Sequence, residues 1–268
     1  GQRVAHRDRE LRGRGRAGAR ARLCDPAAEV SAHWLIDTDG TTEALVPEHR
    51  RAWHAGAGRW GAVTDVNSRS IGIEICNPGH DFGYPDFPAR QIAAVITLCR
   101  SILTRNIIRP ENIVAHSDVA PARKQDPGEK FPWKRLSQSN IGLWVEPVAI
   151  TEGPVLQLKD TGDKVTELQK ALVEYGYGLN VNGTYDQDTQ EVVSGFQRHF
   201  RPAKVDGITD TSTRETLRRL LVAKEFGGMQ KAPGAQAAKR AAPQPPKSDP
   251  SKQEASKQQK PKGEPAAS

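Results

Sequence analysis

His116 ends a strand-like run, Asn112-Ile113-Val114-Ala115-His116, and Asp126 follows ten residues later in the turn Asp126-Pro127-Gly128. An imidazole nitrogen and a carboxylate oxygen so placed can converge on one metal ion. Taken alone the pair is weak, and a capping aspartate beside a surface histidine is the plainer account. Glu74 shifts the balance. It lies in Ile71-Gly72-Ile73-Glu74-Ile75-Cys76, among neighbours that cannot solvate an ionised carboxylate. In a strand its face is shared with Gly72 and Cys76, both small, which leaves room above the carboxyl for a ligand. Pointing outward, Glu74 is an edge residue; pointing into a cleft beside a metal's water, it is a general base. Lys124 is either a solvated loop lysine or the ammonium that stabilises an oxyanion when a carbonyl is attacked. Trp53 and His54, on the glycine-containing loop Trp53-His54-Ala55-Gly56, suit contact with a sugar or peptide, although a tryptophan packed on the core fits as well. With Asn67 they are the candidate substrate contacts. His33 alternates with apolar residues and reads as structural, while His80 and His199 have no partner in sequence and receive no role.

These residues need a scaffold that brings positions 54, 74, 116 and 126 together. Residues 31–40 read as a short apolar strand run ending in a D-x-D-G turn, 44–56 as a second strand and its loop, and Ser70–Cys76 as a buried central strand. Residues 88–105 put Ile92, Val95, Ile96, Cys99, Ile102 and Leu103 on one face of a helix, and residues 112–116 read as a further strand. The alternation predicts an α/β class: a mixed central sheet flanked by helices, spanning 23–147. A second unit, 154–226, reads as a small three-helix domain. Two of its helices follow similar phrases, residues 181–189 and 205–213, each an Asn-Gly or Asp-Gly turn followed by a threonine that can cap the helix.

Of the formal net charge of +7, the first 22 residues carry +6, from eight arginines against Asp8 and Glu10. Residues 229–268 carry +5, from eight lysines and arginines against three acids, so the intervening part is −4. The positive charge belongs to the ends, and no nucleic acid is expected as a partner. Residues 1–22 have no helical or strand period and read as irregular, and 229–268 hold seven of the 19 prolines and read as a disordered tail. No run of 18 apolar residues occurs, so no transmembrane segment is expected. Three cysteines form neither a disulfide framework nor a CxxC site, and no export signal is visible. A monomer is the default.

The phrases Val30–Gly40, Arg51–Gly56, Asn67–Gly79 and Asn112–Trp133 together resemble the zinc N-acetylmuramoyl-L-alanine amidases of the type 2 family. Residues 154–222 resemble the three-helix peptidoglycan-binding domain. The resemblance implies zinc as cofactor, His116 and Asp126 as two of its ligands, Glu74 as the residue that activates the zinc water, and Lys124 as the oxyanion's lysine. It implies peptidoglycan or muropeptides as partner and substrate, and a place in the cell envelope or periplasm, with the cytoplasm as the other option. One departure stands out. The family's first zinc ligand is a histidine on an early strand, and here that place holds the arginine-rich residues 1–22, where His6 is the one candidate. Two readings follow: a zinc amidase, or a wall-binding recognition protein lacking the first ligand.

Overall fold

The computed structural model describes residues 16–227. His6 and the lysine- and proline-rich tail lie outside the described residues. Helix α1 (Arg16–Leu23) occupies the end of the stretch expected to be irregular. Its alanines at 17, 19 and 21 have high helix propensity, and Ala19 and Leu23 gain burial against Leu35.

Strand β1 (Trp34–Ile36) is the middle of a three-stranded sheet. It pairs antiparallel with β2 (Thr42–Ala44), Leu35 opposite Glu43. A short helix α2 (Val66–Arg69) leads into β3 (Ile73–Ile75), which pairs parallel with β1, Leu35 opposite Glu74. The sheet is mixed, as expected. The run expected to be its central strand is instead an edge of the described sheet, because β1 takes the middle position.

Helix α3 (Ala89–Arg105) buries Ile92, Val95, Leu98 and Ile102. That stripe meets Ile36, Trp34, Ile73 and Ile75 from one face of the sheet. The period-2 alternation of a strand therefore leaves Glu74 and Leu35 on the opposite face. Residues 113–115 are extended but have no ladder partner among the described residues, and the chain turns at once into α4 (His116–Val119). The Asp118 carboxylate accepts the Ala115 N–H at 2.7 Å, a local bond that favours the helical turn over the expected strand continuation. Helix α5 (Trp133–Ser137) closes this part of the fold.

The remaining helices are α6 (Asp163–Tyr175), α7 (Gln187–Phe200) and α8 (Thr211–Gly227). They share a core of Val165, Leu168, Leu172, Phe196, Phe200 and Leu217. The repeated phrases have a structural cause. Gln169 accepts the amides of Asn182 and Gly183 and donates to the Thr184 carbonyl, and Gln197 treats Asp206, Gly207 and Ile208 in the same way. Each following helix is capped by an aspartate rather than by the expected threonine. Asp186 accepts the Thr189 N–H and Asp210 the Thr213 N–H, because an aspartate three positions before the threonine reaches the free amides of the first turn.

Candidate active site

A cleft of about 880 Å³ is lined by His54, Glu74, His116 and Asp126 together with Gly72 and Ala115. Residues separated by up to 72 positions thus line one cavity, which also runs along α3 at Val95, Cys99, Ile102 and Leu103.

His116 is the first residue of α4, and both its ring nitrogens are engaged. Nε2 lies 3.0 Å from the Ala55 carbonyl, which can only accept, so Nε2 carries the proton there. Arg123 also donates to that carbonyl, at 3.1 Å. Nδ1 lies 3.1 Å from Asp126 Oδ2. Nδ1 then faces the carboxylate oxygen in one of two ways, as the second N–H of an imidazolium donating to Asp126 or as a lone pair that can share a cation with the carboxylate. An imidazole whose far N–H is held by a backbone carbonyl is the usual outer-shell arrangement of a metal-binding histidine. Zinc, implied by the resemblance, fits this pair. Among the described residues no group of three His, Cys, Asp or Glu side chains converges as a metal site.

The Asp126 turn is held from both sides. Its carbonyl accepts the Ser117 N–H at 3.0 Å, and the next carbonyl, of Pro127, accepts the Tyr84 hydroxyl at 2.8 Å. Gly128 has φ +87°, and a Cβ there would sit 2.7 Å from Tyr84 Cζ, so both conformation and space require glycine. Burial pushes the Tyr84 phenol up to about 12, which keeps its proton available for that bond.

His54 reaches the cleft because Asn67 holds its loop. The buried Asn67 Oδ1 accepts the N–H of His54 at 3.0 Å and of Ala55 at 2.8 Å, so Asn67 supports the loop and is not among the residues lining the cleft. The His54 ring packs edge-on against His33, centroids 5.5 Å apart. Burial, then the proximity of His33 and His116, pushes its pKa down to about 4. His54 is therefore neutral near pH 7, and its buried Nε2 has no hydrogen-bond partner among the described residues. Trp53 is half exposed beside it, and Lys124 is half-buried in the turn between His116 and Asp126; neither lines the cleft. His33 is structural, accepting the Gly72 N–H at Nδ1 and donating to the Arg50 carbonyl through Nε2.

Two residues beside the site escaped sequence reasoning. His199 and Tyr177, both from the helical part, reach Asp118 on α4, each at 2.7 Å. His199 is 81 positions from Asp118, and no local pattern links them.

The chain is 36% identical over 205 residues to the N-acetylmuramoyl-L-alanine amidase AmiD of Escherichia coli, covering 72% of this chain and 74% of AmiD. The chain belongs to the N-acetylmuramoyl-L-alanine amidase family. The model of that family matches residues 8–129, and a peptidoglycan binding domain model matches 161–217. This amidase also resembles, at 41% identity over 108 residues, the 1,6-anhydro-N-acetylmuramyl-L-alanine amidase AmpD of Citrobacter freundii, over 40% of this chain and 55% of AmpD. Among solved structures, AmiD from E. coli in complex with anhydro-N-acetylmuramic acid-L-Ala-D-gamma-Glu-L-Lys matches with TM-score 0.68 and 34% identity, over 80% of this chain and 86% of that one. AmpDh3 from Pseudomonas aeruginosa matches with TM-score 0.64 and 32% identity, over 77% and 86%. The mixed sheet with flanking helices and the C-terminal helical domain agree with these neighbours.

Proposed function

We propose that this amidase is a zinc enzyme that hydrolyses the amide between the lactyl group of N-acetylmuramic acid and the L-alanine of the peptidoglycan stem peptide. The observation that carries the reading is the facing pair His116 Nδ1 and Asp126 Oδ2, 3.1 Å apart, in a cleft that also holds Glu74. His116 and Asp126 would hold the metal, and His6 is the candidate for a further ligand. When bound, zinc supplies Lewis-acid polarisation of the scissile carbonyl and a water of lowered pKa. Glu74 takes the proton of the attacking water and returns it to the departing alanine nitrogen. Lys124 lies outside the cleft lining, and its role, offsetting the charge that develops on the carbonyl oxygen, rests on the family resemblance. His54, neutral and with Nε2 unpartnered, has a nitrogen available to a polar group of the substrate. Trp53, exposed on the same loop but outside the cleft lining, is the candidate contact for sugar or peptide beyond the cleft.

The substrate class is supported by the muropeptide-type ligands of the AmiD complex and of AmpDh3, the latter crystallised with an anhydromuramic pentapeptide. The peptidoglycan-binding domain favours intact wall over soluble fragments, and therefore action in the cell envelope. The test compares purified sacculi with a soluble anhydromuropeptide, following stem-peptide release by chromatography. Release is expected to stop with a chelator, and Glu74→Gln is expected to slow it by about 10²–10⁴-fold. Full activity of Glu74→Gln overturns the role of Glu74, and wall binding without peptide release overturns the hydrolase reading.

A further inference from the structure

The α4 turn carries His116 at its first position and Asp118 at its third. The Asp118 side chain is fully buried. Its Oδ1 accepts the Tyr177 hydroxyl at 2.7 Å, and its Oδ2 accepts both His199 Nδ1–H at 2.7 Å and the Ala115 N–H at 2.7 Å. Both oxygens are thus committed, and Asp118 has no capacity left for substrate. His199 is itself confined, stacked at 3.8 Å on Trp133 and at 3.8 Å on Phe200. Helix α7 also approaches α4 closely. A Cβ on Gly195 would lie 2.6 Å from the Ser117 carbonyl oxygen, so the two backbones are in contact there.

Placing a carboxylate, an imidazole and a phenol out of water is costly, and apolar residues of similar volume would fill the same space more cheaply. What the polar set adds is direction, since hydrogen bonds fix the rotation of α4 in a way that apolar contact does not. The consequence reaches the site by two short routes. One is the His116 side chain, a neighbour of Asp118 on the same turn. The other is the Ser117 N–H, which holds the Asp126 carbonyl at 3.0 Å.

We infer that Tyr177 and His199 of the peptidoglycan-binding domain are positioning residues for the hydrolytic site, acting through Asp118 to set His116 and Asp126. Wall-binding domain and catalytic cleft are then one mechanical unit, and the helical domain serves the chemistry as well as attachment. This inference rests on the proposed function for its catalytic readout, but not for its structural one.

The test uses the full chain with Tyr177→Phe, His199→Phe and His199→Asn. Phenylalanine keeps the stacking at 199 and loses the donor, whereas the asparagine amide puts an N–H near the position of Nδ1–H. Tyr177→Phe and His199→Phe are expected to speed amide hydrogen exchange at residues 115–119. They are expected to lower kcat by about 10–100-fold, the usual effect of removing an outer-shell partner. KM and co-sedimentation with sacculi should change less than about twofold, and His199→Asn should recover most of kcat. If His199→Phe does not fold, Tyr177→Phe carries the same test. Unchanged exchange and kcat in a folded Tyr177→Phe overturn the inference, as does a lower melting temperature with kcat intact. Should the unmodified chain release no stem peptide, the proposed function fails and exchange at 115–119 decides the positioning role by itself.

Discussion

Gly72→Ala tests whether the wall of the cleft is built as described. A Cβ at position 72 would stand 2.5 Å from His54 Cδ2 and 2.6 Å from Nδ1, so the ring must retreat by about 1 Å to reach ordinary contact near 3.4 Å. That retreat is obstructed. The His54 and Ala55 amides are tied to Asn67 Oδ1, the Ala55 carbonyl is tied to His116, and the ring already meets His33 on another side. Overpacking of this kind costs about 1–3 kcal/mol. For a folded unit of this size that corresponds to a melting temperature lower by roughly 2–12 °C. Because the Ala55 carbonyl moves with the loop, stem-peptide release should fall as well. Calorimetry on four proteins, the unmodified chain, Gly72→Ala, His54→Ala and the double variant, gives the coupling directly. With the imidazole removed the added methyl group has space, and the Gly72→Ala cost should drop below about 0.5 kcal/mol, the scatter of additive sites. The same cost in both backgrounds, or none in either, would refute the packing of His54 over Gly72.

Asn67→Ala leaves the amides of His54 and Ala55 without their acceptor, and should cost about 1–3 kcal/mol in chemical denaturation while lowering activity more than wall binding. Gln197→Leu, removing the clamp on Asp206 and Gly207, should destabilise the helical domain cooperatively and reduce co-sedimentation with sacculi. The hydrogen bonds of Arg105, helped by those of Trp34 and Asn106, hold the Glu48 carboxyl below the usual carboxylate range against the opposing effect of burial. A depressed folded pKa stabilises above the unfolded value near 4.5 and is lost as pH falls through the folded one. Glu48→Gln should therefore lower the melting temperature at pH 7 and lose that deficit progressively as pH falls below the ordinary value of 4.5, and a deficit independent of pH would refute the ion-pair account.

Where the physics is local, the sequence alone determined the outcome. The apolar stripe of α3, the three C-terminal helices and the Asp126-Pro127-Gly128 turn follow from side-chain period and backbone preference, which need only neighbours along the chain. His116, Asp126, Glu74 and His54 stood out as chemistry-bearing types against short apolar strands, and folding is what brings them to line one cavity. Tertiary structure decided the rest. The pairing order put β3 at an edge of the described sheet, and the Asp118 side chain bent residues 116–119 into a helical turn. Asn67, expected from sequence as a substrate contact, supports the loop of His54, its side chain buried and accepting the His54 and Ala55 amides. Tyr177 and His199 carried no signal at all. Their partner is a carboxylate on another domain, 59 and 81 positions away, and only folding brings a buried donor within reach of a distant acceptor.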